Sequence, residues 1–370
     1  MPSVFAELAS PRGIALAAVA VAVVAAPADA RVGRSAHGPI TRAERASIGA
    51  AIAFVREDGE KREAYVVRAD GTGEQPLDPG PWQSYPAAAS HAGELALIRA
   101  ADHAGGHEEA LAVRRVDGEV QVLARGPMVR NPAFAPDGAS LAFESDRASF
   151  RDLYRVPRSG GDVVRLTDDR EGNYEPSFVD GGALVFTSSR DGEAEIYRMR
   201  ADGTAPVRLT RSAGDDVAPR PSPDGRLVAF LSARDGVDHV FVMRADGSDV
   251  RPVRAATQDE EREHTWSPDG TRLAFVAKSK SGRPRVLVWD RGRDAAFAIT
   301  DGTTIADMPA FSPDGRYVAY VNDDGRGPDV WVARSDGSGA VRVAAAAGRR
   351  WLPVWIPQPT ANGARASLEE

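Results

Sequence analysis

The sequence predicts an all-β fold: a seven-bladed β-propeller of four-stranded antiparallel blades, its ring closed by the C-terminal strand joining the N-terminal blade. Three observations carry this. An eleven-residue hairpin string recurs as PSPDGRLVAFL (221–231), WSPDGTRLAFV (266–276) and FSPDGRYVAYV (311–321). Landmarks just ahead of each such turn are Pro86, Pro132, Pro176, Pro219, His264, Pro309 and Pro353, spaced by 46, 44, 43, 45, 45 and 44 residues. Fifteen Asp-Gly dipeptides punctuate short apolar runs, and no helical stretch intervenes. A repeat of about 40–45 residues holding four short strands is a propeller blade.

Within each repeat the first strand carries the proline and an aromatic two residues on: Phe134, Phe178, Trp266, Phe311 or Trp355. The SPDG turn follows. Proline presets φ at its second position, and glycine accepts the left-handed conformation that closes the hairpin. The second strand (LAF, LVF, VAF, LAF, VAY) is apolar throughout, as expected when both faces are buried. A third strand (DLYRV, EIYRM, HVFVM, RVLVW, DVWVA), a second tight turn (RADG or RSDG) and a short fourth strand such as VVRLT complete the unit. The set AIAFVREDGEKREAYVVRADGTGEQPL lacks a first strand, and the last first strand, RWLPVWIP, lacks successors. The two leftovers complete each other, so residues 351–356 are expected to pair into the N-terminal blade, which removes two open sheet edges.

The predicted organisation is an export signal (1–30), a short N-terminal segment (31–47), the propeller (48–357) and a tail (358–370). Arg12, the apolar run 13–26 and Ala28-Asp29-Ala30 have the order of a cleavable signal. Fourteen helical residues rise about 21 Å, short of the roughly 30 Å hydrocarbon core. Cleavage after Ala30 is the favoured reading and an uncleaved anchor the alternative. With the signal removed, no stable membrane span is expected and the chain is periplasmic or secreted. There is no cysteine among 370 residues, which excludes disulfide staples and thiolate chemistry. A net charge of −7 gives no generic attraction to nucleic acid. A monomer is expected.

The stretch PAFSPDGRYVAYVNDDGRGPDVWVARSDG (309–337) and its sisters resemble the TolB-type propeller repeat, also called the WD40-like PD40 repeat, over roughly residues 48–357. The resemblance implies a periplasmic, non-enzymatic propeller; the namesake binds a peptidoglycan-associated lipoprotein of the outer membrane. The namesake carries an α/β domain ahead of six blades. Here only about 17 residues separate the expected cleavage site from the first strand, and seven blades are counted. A free-standing TolB-like propeller is therefore expected. Similar repeats front prolyl oligopeptidase-like peptidases, whose hydrolase domain has no counterpart in the 13 residues after ring closure.

Two tight turns of each blade fall on one face; the second-to-third loops and the blade-to-blade loops fall on the other. The second set is longer and more varied, which suits recognition on a rigid ring. Blade-to-blade segments 168–175, 211–216, 259–264 and 301–307 hold twelve Asp or Glu against three Arg, so the channel mouth is expected to be negative, as a draw for basic segments or merely a solvated surface. Candidate binding residues, chosen where inner strands begin, are Arg130, Asn131, Tyr174, Glu175, Asp216, Arg262, Glu263, His264, Asp307 and Trp351.

His264 replaces the recurrent proline and is a candidate channel ligand or acid/base, or else a packed strand residue. Gly105 and Gly106 argue against a helix aligning His103 and His107 as a zinc pair. GxSxG, the P-loop and HExxH are absent. No cofactor, metal or catalytic residue is expected, and the partner is a protein or cell-envelope component. The alternative is a metal-dependent pectin-oligomer lyase. Such lyases use a propeller of this repeat type with several channel histidines, whereas one inner-strand histidine is found here.

Overall fold

The computed structural model describes residues 38–103, 106–253, 260–278, 282–343 and 348–357. The export signal and the tail assigned from sequence lie outside them. Among the described residues, seven four-stranded antiparallel sheets form the blades of a propeller. Blade 1 runs from its inner strand outward as β28 (Arg349–Pro357), β1 (Ala50–Asp58), β2 (Lys61–Arg68) and β3 (Gln75–Pro76). Blade 2 is β4 (Gln83–Ala89), β5 (Leu95–His103), β6 (Gly106–Arg114) and β7 (Val120–Gly126). Blade 3 is β8 (Arg130–Phe134), β9 (Ser140–Ser145), β10 (Asp152–Pro157) and β11 (Val164–Arg165). Blade 4 is β12 (Asn173–Phe178), β13 (Leu184–Ser188), β14 (Glu195–Met199) and β15 (Val207–Arg208). Blade 5 is β16 (Asp216–Pro221), β17 (Leu227–Ser232), β18 (His239–Arg244) and β19 (Arg251–Pro252). Blade 6 is β20 (Glu260–Trp266), β21 (Arg272–Lys278), β22 (Arg285–Asp290) and β23 (Ala295–Ala298). Blade 7 is β24 (Ile305–Phe311), β25 (Tyr317–Asp323), β26 (Pro328–Arg334) and β27 (Ala340–Arg342). Consecutive inner strands touch around the ring and so surround its axis.

Closure follows the expected pairing. β28 lies antiparallel to β1, with Ala50 opposite Pro357, Ile52 opposite Trp355, Ala53 opposite Val354 and Glu57 opposite Arg349. The expected aromatics at proline-plus-two join each blade to the one before. Trp266 Nε1 donates to the Arg220 carbonyl at 2.9 Å, and Trp355 Nε1 to the Ala310 carbonyl at 3.0 Å. Phe134, Phe178 and Phe311 pack in clusters shared with the preceding blade.

The SPDG string closes its hairpin with side chains as well as backbone. Gly225, Gly270 and Gly315 each donate N–H to the serine carbonyl three residues back at 2.8 Å. Ser222, Ser267 and Ser312 donate Oγ–H to Asp224, Asp269 and Asp314 at 2.5, 2.5 and 2.6 Å. Each aspartate also accepts the N–H two residues on, from Arg226, Thr271 and Arg316. A buried turn end is thereby satisfied without water.

The second turn serves a different end. Its glycine has positive φ and abuts backbone of the preceding blade. A Cβ on Gly203 (φ +85°) would stand 2.6 Å from the Leu166 carbonyl oxygen, and one on Gly247 (φ +87°) 3.0 Å from that of Leu209. Gly203→Ala is therefore expected to combine left-handed strain of about 1–2 kcal/mol with a backbone clash. Urea unfolding should show at least about 2 kcal/mol lost. An unchanged midpoint would mean that blades 3 and 4 do not meet there.

The short N-terminal segment assigned to 31–47 contains, among its described residues, a strap. Helix α1 (Arg42–Ala46) is capped by Thr41, whose Oγ1 accepts the Glu44 N–H at 3.1 Å. Glu44 then accepts two hydrogen bonds from Arg334 at 2.7 Å each and one from the Tyr317 hydroxyl at 2.9 Å, both on blade 7. The Arg334 guanidinium holds the Glu44 carboxyl down to about 2. No described helix is long and apolar enough to cross a membrane.

Candidate functional site at the channel mouth

Six of the seven inner strands carry the same backbone irregularity. The residue before the landmark position has left-handed φ in Asn131, Glu175, Ala218, Glu263, Met308 and Leu352, between 46° and 56°. Ladder register shifts there: Tyr174 pairs with Thr187 but Ser177 with Val185, and Asp307 with Val321 but Ala310 with Ala319. One extra residue is thus inserted on the inner strand, a β-bulge that turns its side chain out of the pleat. None of these six is glycine, and non-glycine residues are uncommon at positive φ.

A bulge leaves an N–H out of the ladder, and carboxylates from the preceding blade collect three of them. Glu144 Oε1 on β9 accepts from Glu175 N at 2.9 Å. Glu175 Oε2 accepts from Ala218 N at 2.7 Å and from Thr187 Oγ1 at 3.1 Å. Glu263 Oε2 accepts from Met308 N at 2.9 Å. Asn131 Nδ2 also donates to Glu144. In three places an acidic side chain of one blade is thus tied to the bulge of the next.

Glu144 is 1% exposed. Burial pushes its carboxyl up to about 7, against the hydrogen bonds from Asn131 and Glu175 N–H and the charge of Arg151. A carboxyl near 4.5 unfolded and near 7 folded keeps its proton in the native state through that window. Its contribution to stability is therefore fully present below the lower value and declines as pH rises to the upper one. Glu144→Gln is expected to remove that decline. The variant's stability relative to wild type should rise by about 3 kcal/mol between acid and neutral pH. Parallel pH profiles for the two proteins would contradict this.

Glu263 and Asp307 form a carboxyl pair. Burial, then proton sharing with Asp307, push the Glu263 carboxyl well above its ordinary range. Arg262 Nη2 lies 2.6 Å from Asp307 Oδ2. The expected negative mouth is accordingly softened. Arg262 neutralises Asp307, Arg190 reaches Asp169 at 2.9 Å, and Arg234 reaches Asp216 at 3.2 Å.

The ten residues chosen from sequence all sit on or beside inner strands, but they do not form one cluster. Asn131 is exposed; Arg130, Tyr174, Glu175, Arg262 and Glu263 are half-buried. Arg130 forks onto Glu109, with its Nη2 at 2.6 Å. Arg151 stacks over the Tyr174 ring at 5.2 Å. Asp216, Asp307, Trp351 and His264 are buried, so any part they have in binding passes through their neighbours. Trp351 meets Tyr85 edge-on at 6.1 Å and has the Arg62 guanidinium over its ring. His264 is 6% exposed, and neither ring nitrogen makes a hydrogen bond. Burial, helped by the Arg220 charge, drives it down to about 3, so it stays neutral and packs against blade 5.

His103 and His107 flank a hairpin, with Asp102 opposite His107. His107 Nδ1 lies 2.9 Å from Asp102 and Nε2 3.2 Å from Glu109, which raise its proton affinity. Among the described residues, no group of three His, Cys, Asp or Glu side chains converges as a metal site.

Sequence reasoning missed Glu144 and the arginines behind the loops. Arg147, Arg190 and Arg234 accept the same station in blades 3–5. Each stacks over a second- or third-strand aromatic (Tyr154 at 4.7 Å, Tyr197 at 4.8 Å, Phe241 at 4.3 Å), with its Nε on a serine two residues back. The signal was present as a repeated Ser-x-Arg in ESDR, TSSR and LSAR.

A family model described as the TolB beta propeller domain, PD40, matches residues 170–359. Over 90 residues the chain is 33% identical to the Tol-Pal system protein TolB of Anaeromyxobacter dehalogenans (strain 2CP-C). That stretch is 24% of this chain and only 20% of the relative's length. Among solved structures, TolB from Acinetobacter baumannii superposes with a TM-score of 0.57 at 20% identity, covering 83% of this chain and 82% of that one. An oligogalacturonate lyase in complex with manganese superposes with a TM-score of 0.61 at 14% identity, covering 80% and 87%. At such identities these structures attest the fold alone. With the family model spanning just over half of the 370 residues, on a ring built of the matching repeat, the chain belongs to the TolB beta propeller (PD40) family.

Proposed function

We propose that this protein is an exported, non-catalytic propeller that binds a protein or cell-envelope component through its loop-rich channel face. The observation carrying this reading is the ring of inner-strand bulges. One backbone device is repeated six times while the residue it presents changes from Asn to Glu, Ala, Glu, Met and Leu. A constant scaffold with varied side chains is what recognition requires, and bulges of this kind re-aim side chains at functional rims. Asn131, Arg130, Tyr174, Glu175, Arg262 and Glu263 are the contact residues of this reading, with Asp216, His264, Asp307 and Trp351 holding them in place. The relative named as a Tol-Pal system protein supports an envelope role.

The test is capture from envelope extract by immobilised wild type, by Asn131→Arg/Tyr174→Ala, and by Arg316→Ala on the turn face. The mouth variant is expected to lose a partner that the other two retain. Equal recovery by all three would remove the reading. The metal-dependent lyase is a second reading, favoured by the structural likeness to a manganese-bound lyase. Thermal melting with EDTA, Mn²⁺ and Ca²⁺ separates the two. The binding reading expects one midpoint throughout, whereas a metal-dependent rise with turnover of pectin oligomers would favour the lyase.

A further inference from the structure

Where α1 meets the 68–72 turn of blade 1 and the end of blade 7, two cavities of about 150 and 320 Å³ adjoin. Arg45 and Asp70 line both; Arg68 lines the smaller, and Arg42, Thr72 and Arg342 line the larger. We propose that this seam binds a phosphate group between Arg42, Arg45 and Arg68. The site is independent of the channel-mouth reading.

The charge count points to a dianion. Arg342 is already held by Asp329 and is set aside. Three arginines, Arg42, Arg45 and Arg68, then line the seam beside a single carboxylate, Asp70. That carboxylate is occupied: its Oδ1 accepts from Thr72 N at 3.0 Å and Thr72 Oγ1 at 2.6 Å, and its Oδ2 meets Arg42 Nε at 3.4 Å. An excess of two positive charges remains, which a phosphate dianion matches and a single carboxylate does not.

Arg45 supplies a second, independent observation. Only 9% of it is exposed, its Nη1 donates to the Ala69 carbonyl at 3.0 Å, and its Nε has no partner. A guanidinium this far withdrawn from water is costly, and an anion in the adjoining cavity offsets its charge. The helix N-terminus takes no part, since Thr41 caps it. Gly71 shapes the wall: a Cβ there would stand 2.2 Å from the Val343 carbonyl oxygen and 3.5 Å from Arg45 Nη1. The smaller cavity, on the Arg45 and Arg68 side, has the volume of about five liquid waters, and the larger one, on the Arg42 and Arg45 side, adds room enough for one phosphate group across the seam.

The experiment is calorimetric titration of the full chain with inorganic phosphate near pH ~8, where it is dianionic, at ionic strength balanced with chloride. Acetate serves as the carboxylate arm. Wild type is expected to bind one phosphate per chain saturably and acetate much more weakly. Arg42→Ala/Arg68→Ala removes two exposed side chains and should keep its melting midpoint in chloride. It is expected to bind phosphate at least about tenfold more weakly, about 1.4 kcal/mol. Should its midpoint fall, Arg68→Ala alone, which leaves the Arg42–Asp70 contact, carries the same expectation. Absence of saturable phosphate binding in wild type, equal affinity in the variant, or equal binding of acetate would each overturn the proposal.

Discussion

Removing residues 349–370 is expected to abolish cooperative unfolding of the whole propeller, not merely to fray one blade. The deletion takes away the inner strand of blade 1, the hydrogen-bond partner of β1 from Ala50 to Glu57. With it go three buried apolar side chains, Trp351, Trp355 and Ile356. Truncating one buried tryptophan costs about 3–5 kcal/mol. Losing all three side chains exceeds much of the roughly 5–15 kcal/mol that keeps a domain folded. It also leaves β1 as an open edge beside blade 7, with Ala50–Val55 fully buried in the intact ring. Urea titration followed by tryptophan fluorescence reads the outcome. A sharp transition with near-native midpoint in the truncated chain would show that the ring does not depend on its clasp.

The second large effect is expected from Arg350→Met. Arg350 is wholly buried at the point where the chain ends are joined. Its Nη2 meets Glu74 at 3.1 and 3.3 Å in blade 1, and its Nη1 faces Asp329 at 3.5 Å in blade 7. Methionine fills comparable space but leaves Glu74 with Arg56 alone, at 3.4 Å, and Asp329 with Arg342 alone. Breaking a buried pair from one side costs about 3–5 kcal/mol. Adding Glu74→Gln and Asp329→Asn to Arg350→Met is expected to recover part of that loss, because the penalty lies in two acids left with one arginine each. If the triple variant is no more stable than Arg350→Met alone, the arginine acts through packing on Phe54, over whose ring it sits at 5.8 Å.

The fold was legible because its unit is written seven times. The SPDG turn has a local mechanism, visible residue by residue, and the period of the landmarks gave blade number and closure together. The inner-strand bulges were not legible. The residues that adopt them share no side-chain chemistry, and their left-handed backbone is imposed by the ring rather than by local preference. Glu263 and Glu175 were legible as acids, but not as acceptors of a neighbour's bulge N–H, since that contact spans some 43–45 residues. Glu144 offered a signal: it is the one carboxylate at a position where the other repeats place Thr187, Leu231, Val276 and Val321. His264 was legible as the one landmark that is not proline, but its burial was not, since that depends on packing against the neighbouring blade.

The strand clasp itself is open to direct measurement, because the chain has no cysteine of its own. Ala53→Cys/Val354→Cys places a thiol pair on facing residues of β1 and β28. Mild oxidation of the folded double variant is expected to give an intramolecular disulfide in a monomer. The midpoint should then rise well above that of the reduced form, since a loop of this length gains about 6 kcal/mol in the chain-entropy limit. Thiols that stay free in the folded state, or that link only between chains, would contradict the closed seven-bladed ring.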